Sequence, residues 1–504
     1  MSASSAASFH ELPPELFPVI VEHLPLVYRP PTLRSLALTC HRIHDIVFPQ
    51  LVYSTVRLVG EDQASTTLNT LIASAELVTA QNIPNNGNPS LSHCIRHLCL
   101  ESSIKTPIRG PNSLDALQKL MDVGGLQYLS SLTLQVHPEW DGTHGEDESG
   151  PYVKLPSSFL TSLEGKCPNL KRVQFSDFPQ QFGKEWIEPH IFSIKRLTSI
   201  RIESHLFNYP SPTINLSQLP PNLHTLDLHV VDRGENINSN VLHGRVIPNL
   251  CTLILDDFFV SDALAMNSFW RAHPGIERLE LGRSVDGNWF DNFEAGMLPN
   301  LKYLRCNADH ALVLLPRVSN SLIKLCLWET YNAQGPYLLR VVSPGGVLPA
   351  LRSLGIHRDS GNSTKPREGH RWRENENGDV SEDSLTTSLS RFSKLKRLTL
   401  SGGINSYNKP FFARSTNWED YAGFDTYESS DLGKYVPETF DEAARDLANG
   451  CRTLDVVTMG NMFGELSIRD GLSRKIVREC DGGTVKELIK TRALGNIIGR
   501  EDEW

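Results

Sequence analysis

Apolar residues recur along this chain at three positions of a six-residue window, spaced i, i+3 and i+5. The series begins at Ile95-Leu98-Leu100 and Leu129-Leu132-Leu134. It runs on through Leu170-Val173-Phe175, Leu197-Ile200-Ile202, Leu223-Leu226-Leu228, Leu250-Leu253-Leu255, Ile276-Leu279-Leu281 and Leu301-Leu304-Cys306. Leu322-Leu325-Leu327, Leu351-Leu354-Ile356, Leu395-Leu398-Leu400 and Leu454-Val457-Met459 complete it. From Leu170 to Leu301 successive starts lie 27, 26, 27, 26 and 25 residues apart. The last two positions alternate with polar residues, so both point to one face of a short strand. The first packs where the chain enters that strand. Burying three such groups contributes roughly 1.5–3 kcal/mol each. Ordering the backbone of one period costs about 1–2 kcal/mol per residue. A single period therefore cannot fold alone, and stacked periods must share a core.

A proline precedes the first apolar position by two residues in Pro168-Asn169-Leu170, Pro221-Asn222-Leu223, Pro248-Asn249-Leu250, Pro274-Gly275-Ile276, Pro299-Asn300-Leu301 and Pro349-Ala350-Leu351. Proline there ends the preceding segment, and Asn or Gly turns the chain into the strand. A fixed period of this length predicts a leucine-rich repeat solenoid, an α/β fold of parallel strands with helical or irregular returns. One departure stands out. Such repeats usually carry Asn or Cys three residues after the last strand leucine, but this chain has Phe178, His205, Val231 and Phe258 at those positions, among others. The usual asparagine ladder is missing.

The first fifty residues follow another pattern. Leu12, Leu16, Val19, Ile20 and Leu24 fall at helical spacing, with Pro13 and Pro14 at the entrance. Pro18 fits only if the helix starts near Pro14, where its missing N–H lies in the unpaired first turn. Thr32 is a plausible cap for a second helix through Leu33, Leu36 and Leu38. Cys40, Ile43, Ile46 and Val47 suggest a third. Three short helices bury little core, so several of these leucines call for a partner surface.

The run Leu12-Pro13-Pro14-Glu15-Leu16, Ile20, Leu24 and Leu33 to Arg42 (LRSLALTCHR) resembles an F-box, as does the closing Phe48-Pro49-Gln50-Leu51-Val52-Tyr53. Thr39 departs from the pattern where an apolar residue is commoner, and Val27 to Pro31 lengthen the bridge between the first two helices. An F-box followed by degenerate repeats is similar to the F-box/leucine-rich-repeat proteins common in filamentous fungi. The resemblance implies docking on a Skp-family adaptor, and through it on a cullin, with the repeats holding a protein substrate for ubiquitination. It assigns Leu12, Pro13, Leu16, Ile20, Leu24, Leu33, Leu36 and Leu38 to the adaptor contact or its immediate support. The alternative is that these helices merely cap the first repeat of a scaffold outside ubiquitination.

The organisation expected is a disordered start at residues 1–8, an F-box at 9–51, a connecting strand, helix and loop at 52–94, repeats at 95–462 and a C-terminal cap at 463–504. In the connection, Val52 to Leu58 alternates as a strand and Gln63 to Gln81 reads as a helix. Insertions fall at 138–151 and 359–383, both polar, and at 402–450, which is rich in aromatics. That last insertion either packs on the repeats or grips a substrate. Thr484 to Thr491 reads as a helix within the cap.

Composition narrows the function. The 504 residues carry a net charge of −9 with both signs interspersed, which argues against a general nucleic-acid or anionic-membrane binder. Residues 1–8 have no basic flank or apolar core, and no run is long enough to span a membrane, so cytoplasm and nucleus are the expected compartments. Nine cysteines, several inside strand motifs, read as reduced thiols rather than a disulfide framework. No phosphate-binding loop or nucleophile elbow is present. His41 and His44 beside Asp45 lack a further ligand pair, and His205, His224 and His229 lack a nucleophile. The reading is a non-enzymatic receptor with no cofactor or metal. The expected recognition face is the strand face opposite the leucines, with Arg172, Gln174, Arg201, Asp227, Glu280, Tyr303 and Arg305 exposed to a protein partner.

Overall fold

The computed structural model describes residues 12–24, 29–48, 50–80, 90–101, 111–135, 158–178, 194–204, 219–230, 237–238, 242, 244–256, 258–260, 262–282, 286–287, 289–318, 321–328, 348–357, 389–390, 392–401, 441, 444–445, 447–460, 462–463, 467–468, 472–478 and 485–492. The expected disordered start and the insertions at 138–151 and 359–383 lie outside these residues, as does 402–440 of the aromatic insertion. The chain divides into two compact units, residues 1–265 with 284–287, and residues 266–283 with 288–503.

The first unit opens with α1 (Leu16–Glu22), α2 (Arg29–Ala37) and α3 (His41–Val47). Pro13 and Pro14 offer the carbonyls that accept from Leu16 N and Phe17 N, at 3.1 and 3.2 Å. Pro18 is the third helical residue and its missing N–H breaks no bond. The second helix begins at Arg29 rather than after a Thr32 cap, because Pro30 and Pro31 are well suited to a first turn. Phe17, Val21, Leu33, Ile43 and Val47 form the core of the three helices, and Leu12, Leu36, Ala37, Cys40, Ile46, Leu51 and Val52 pack against it half-buried.

Strands follow in parallel register: β1 (Thr55–Val59), β2 (His97–Glu101), β3 (Ser131–Gln135), β4 (Arg172–Phe178), β5 (Ser199–Ser204), β6 (Thr225–Val230) and, skipping the two-residue β7 (Ile237–Asn238), β8 (Thr252–Asp256). Equivalent motif positions align from strand to strand. Leu98 faces Leu132, then Val173, Ile200, Leu226 and Leu253. Between β1 and β2 runs α4 (Glu61–Ala80), whose buried face is Ala64, Leu68, Leu71, Ile72 and Ala75. The short α5 (Leu91–Cys94) follows it, and α6 (Pro111–Asp122) and α7 (Phe159–Lys166) are returns between later strands. A small separate sheet pairs β7 with β9 (Phe258–Val260) and Asp286–Gly287.

The second unit repeats the scheme. It includes most of α8 (Ala263–Ala272), then β10 (Arg278–Leu281), β11 being the Asp286–Gly287 pair already described, and β12 (Tyr303–Asn307). After α9 (Ala308–Leu314) come β13 (Lys324–Trp328), β14 (Ser353–His357), β15 (Arg397–Ser401) and β16 (Val456–Gly460). These are again parallel and in register, with Leu279, Leu304, Leu325, Leu354, Leu398 and Val457 side by side. Trp270, Trp289, Phe290 and Phe293 fill the core beneath, where Trp270 Nε1 donates to the Trp289 carbonyl at 3.1 Å. The fold is an α/β leucine-rich repeat solenoid, shown by this register in each unit.

Many of the repeat strands are entered by the same turn. The amide of the first motif leucine donates to the carbonyl three residues back: Leu170 to Cys167, Leu250 to Ile247, Ile276 to His273, Leu301 to Leu298 and Leu351 to Leu348. Proline therefore sits at the second position of a β-turn, as that turn prefers, with Asn at the third in three of these five and Gly275 or Ala350 in the other two. The residue opening the turn is buried in each of these, whether Cys167, Ile247, His273, Leu298 or Leu348. This fourth core position lies outside the three-position motif. The turn asparagines reach back one repeat: Asn169 Nδ2 donates to Gln127 O (2.8 Å), Asn249 Nδ2 to Pro221 O (3.2 Å) and Asn300 Nδ2 to Pro274 O (3.1 Å). Ser321 Oγ does the same to Pro299 O. The asparagine link missing after the strands is thus supplied before them.

At the C-terminal end the expected helix at Thr484 to Thr491 is a strand. There β19 (Leu472–Arg478) runs antiparallel to β16, and β20 (Val485–Arg492) pairs antiparallel with β19. Beside them, β17 (Met462–Phe463) and β18 (Ser467–Ile468) pair with each other. Val485, Leu488 and Ile489 have helical spacing, but none is buried. The open edge of β16 offers unpaired backbone groups, and pairing with it outweighs so weak a helical face.

Candidate functional site

Two regions carry the residues singled out by the sequence. The first is the three-helix module. Its core uses Phe17 and Val21, so the face of α1 bearing Leu16 and Val19 turns outward, at 42% and 50% exposure. Leu16 and Val19 lie three apart and share one side of the helix. Leu38, just past α2, is 85% exposed and Phe48 is 40% exposed. Of the expected contact set, Pro13, Leu16 and Leu38 are exposed, Leu12, Ile20, Leu24 and Leu36 are half-buried, and Leu33 is buried in the core. Leu33 can support a contact but not make one. The spacing of Leu12, Leu16 and Ile20 drew attention from Phe17 and Val21, whose i, i+4 pairing marks the inner face. Arg42 Nη2 reaches the Leu12 carbonyl at 3.4 Å, tying α3 to the entrance of α1. His44 pairs with Asp45 at 3.2 Å and stacks on Phe48. Among the described residues no group of three or more His, Cys, Asp or Glu is placed to hold a metal ion.

The second region is the strand face opposite the leucines. Arg172 is exposed and Gln174 half-buried there. The expectation that the others stand exposed is corrected: Arg201, Asp227, Glu280, Tyr303 and Arg305 are all buried. Parallel strands in register place their side chains about 4.8 Å apart, so neighbouring long side chains cover one another. In the first unit Arg201 lies opposite Asp227 across the ladder, with Nε to Oδ2 at 3.4 Å.

In the second unit the charges interlock. Glu280 Oε1 accepts from Arg278 Nε at 2.7 Å and from Arg278 Nη2, while Oε2 accepts from Arg305 Nη1 at 2.8 Å. Burial alone would raise the Glu280 pKa, but the two guanidinium charges and their hydrogen bonds outweigh it and hold the carboxyl below its usual range. Burial likewise opposes the charge on Arg305, and the Glu280 carboxylate more than restores it. The Arg278 guanidinium also lies over the Tyr303 ring, 4.8 Å from its centre, and Lys324 Nζ stands 5.5 Å from the same centre. Burial pushes the Tyr303 phenol well above its ordinary value and the Cys326 thiol up to about 12, so both stay protonated. A neutral, deeply protonated thiol is no nucleophile. This cluster offers fixed charge and hydrogen-bond donors rather than a reacting group.

His224 Nδ1 shares a 2.6 Å hydrogen bond with the Asn222 carbonyl at the turn. The side chains of His205 and His229 are outside the described residues. None of the eight described cysteines forms a disulfide. No described helix is long and apolar enough to cross a membrane.

No protein-family model and no curated protein matches the sequence. Solved structures do resemble it. The Rad7 and Elc1 complex in yeast matches at 16% identity and TM-score 0.37, covering 79% of this chain and 87% of that one. The leucine-rich repeat-containing protein LegL7 from Legionella pneumophila matches at 12% identity and TM-score 0.31, covering 81% and 90%. The circular leucine-rich repeat protein CroV588 matches at 14% identity and TM-score 0.26, covering 61% and 36%. These are distant likenesses, and the fold assignment rests on the strand register.

Proposed function

We propose that this chain is a non-catalytic substrate receptor of a Skp–cullin–F-box ubiquitin ligase. In this reading its N-terminal helices dock on a Skp-family adaptor, which joins it to a cullin, and its repeats hold a protein to be ubiquitinated, in the cytoplasm or nucleus. The observation that carries the reading is the three-helix module. It closes a core of its own on Phe17, Val21, Leu33, Ile43 and Val47, yet leaves Leu16, Val19 and Leu38 on its surface. Exposed large apolar groups on so small a module are the expected anchors of a protein interface. The charged strand face supports the second half of the reading, because it holds fixed ions and no reacting group.

The test is co-purification of the full chain with a Skp-family adaptor. Leu16→Asp and Leu38→Asp should each abolish the complex and leave the thermal midpoint unchanged, because both side chains are exposed. If both variants bind the adaptor as the parent does, the receptor reading fails. The second reading is a scaffold outside ubiquitination whose helices only cap the array. It is favoured by Leu51 and Val52, which pack on the helical core and lead directly into β1. It expects no adaptor complex at all.

A further inference from the structure

We propose that the strand face of the second unit binds an acidic, carboxylate-bearing segment of a partner protein along the row Arg278, Tyr303, Lys324, Ser353 and Arg397. The inference rests on the reading of the repeats as the part that holds a protein target. The row is fixed by register: Arg278 pairs with Tyr303, Tyr303 with Lys324, Lys324 with Ser353, and Ser353 with Arg397. It bears three cations, a phenol and a hydroxyl, and no acid, on a chain whose net charge is −9.

Two observations point to a ligand. The Tyr303 hydroxyl is buried, at 8% residue exposure, and has no hydrogen-bond partner among the described residues. A buried hydroxyl without a partner costs stability that a bound acceptor would restore. Second, the Lys324 ammonium has the Tyr303 ring beside it but no carboxylate among the described residues, and Arg397 is exposed in the same state. Arg278 and Arg305 already bond Glu280, which sets their forks, so the row offers Lys324 and Arg397 as its cations toward a ligand.

Geometry and charge choose the ligand. Strands about 4.8 Å apart put Lys324 about 10 Å from Arg278 and from Arg397, the span of two or three extended residues. An extended peptide crossing the strands meets a cation at each such step. One monovalent cation about every 10 Å matches one monovalent carboxylate every two or three residues of an extended chain. The row is therefore assigned to aspartate and glutamate side chains.

The test uses the full chain alone at low salt and fluorescence anisotropy of a labelled peptide of alternating Glu and Gly. The same peptide with Gln, with Lys or with phosphoserine for Glu, and a single-stranded DNA oligonucleotide, complete the set. The Glu peptide should bind most tightly. Lys324→Glu with Arg397→Glu should weaken it by at least about tenfold, and Tyr303→Phe by about tenfold through the lost hydrogen bond to a charged acceptor. If charge reversal unfolds the chain, Lys324→Gln with Arg397→Gln takes its place. Equal binding of the Glu and Gln peptides, unchanged binding by the folded double variant, or tighter binding of the phosphopeptide or DNA overturns the proposal. No adaptor is present in this measurement. Loss of the acidic peptide with an intact adaptor complex sinks this inference alone, and the converse result sinks only the ligase reading.

Discussion

The two units solve one problem differently. At the same register position, between two core residues, the first unit sets Arg201 against Asp227 and the second sets Glu280 against Arg305. Asp227 faces Arg201 on one neighbouring strand and the apolar Ile254 on the other. Glu280 has Arg305 on the neighbouring strand and Arg278 on its own, so its two oxygens serve two forks. A buried charge is tolerated only when its partners replace the water it has lost. The first site shows the longer Arg201–Asp227 pair, whereas the arginine two residues before Glu280 turns the second site into a locked cluster. A single residue two positions away thus separates a structural ion pair from a charged platform.

The sharpest way to break this comparison is to remove each acid. Glu280→Gln leaves the buried Arg305 and the half-buried Arg278 guanidinium facing each other and should cost about 3–5 kcal/mol in denaturant unfolding of the full chain. Asp227→Asn should cost less, about 1–3 kcal/mol, because its pair is longer and Arg201 gains no second cation beside it. An equal or larger loss at Asp227 would mean that the fork around Glu280 adds nothing.

Acid offers a milder probe of the second unit. His273 opens the turn into β10, buried, with Nδ1 donating to the Phe269 carbonyl at 2.7 Å. Burial lowers its pKa, and that hydrogen bond only partly opposes the shift. The folded state therefore resists a proton that the unfolded state accepts near 6.5. Stability present above that value should fall as the pH drops below it, until the folded pKa is reached. His273→Leu should flatten this stretch of the stability–pH curve. Glu280 acts lower: its contribution is full above the ordinary carboxylate range and is lost as the pH falls through its depressed folded value. Two separate losses on acidification are expected, and only the upper one should vanish in His273→Leu.

Smaller still is Tyr303→Phe. Removing a hydroxyl with no partner should change stability by less than about 1 kcal/mol, in the stabilising direction. A clear loss would mean that the hydroxyl already has an acceptor, and would weaken the case for a ligand there. Asn300→Ala, which cuts one turn link, should cost about 0.5–1.5 kcal/mol.

Much of the fold was legible because the repeat states its register openly. Every motif from Ile95 to Leu454 leads into a strand, and the Pro-Asn pair marks the turn. The fourth core position was hidden because Cys167, Ile247 and His273 share no side-chain type. The helix expected after Thr484 failed because a strand edge elsewhere in the chain decided the matter. Alternation put Arg201 and Glu280 on the strand face opposite the leucines, but it did not foretell their burial: either looks solvated when its own strand is read alone. The strand placed beside it brings the cross-strand partner, Asp227 for Arg201 and Arg305 for Glu280. In the helices, Leu12, Leu16, Val19, Ile20 and Leu24 at helical spacing concealed that Phe17 and Val21 face inward.

The turn asparagines have a consequence for how the chain is made. Each reaches backward, so that Asn249 fastens a carbonyl of the repeat that left the ribosome before it, and Asn300 does the same in its turn. A newly emerged repeat brings its own latch and needs nothing still to be synthesised in order to close it. Assembly can keep pace with translation from the N-terminus onward, the order in which domains generally fold during synthesis.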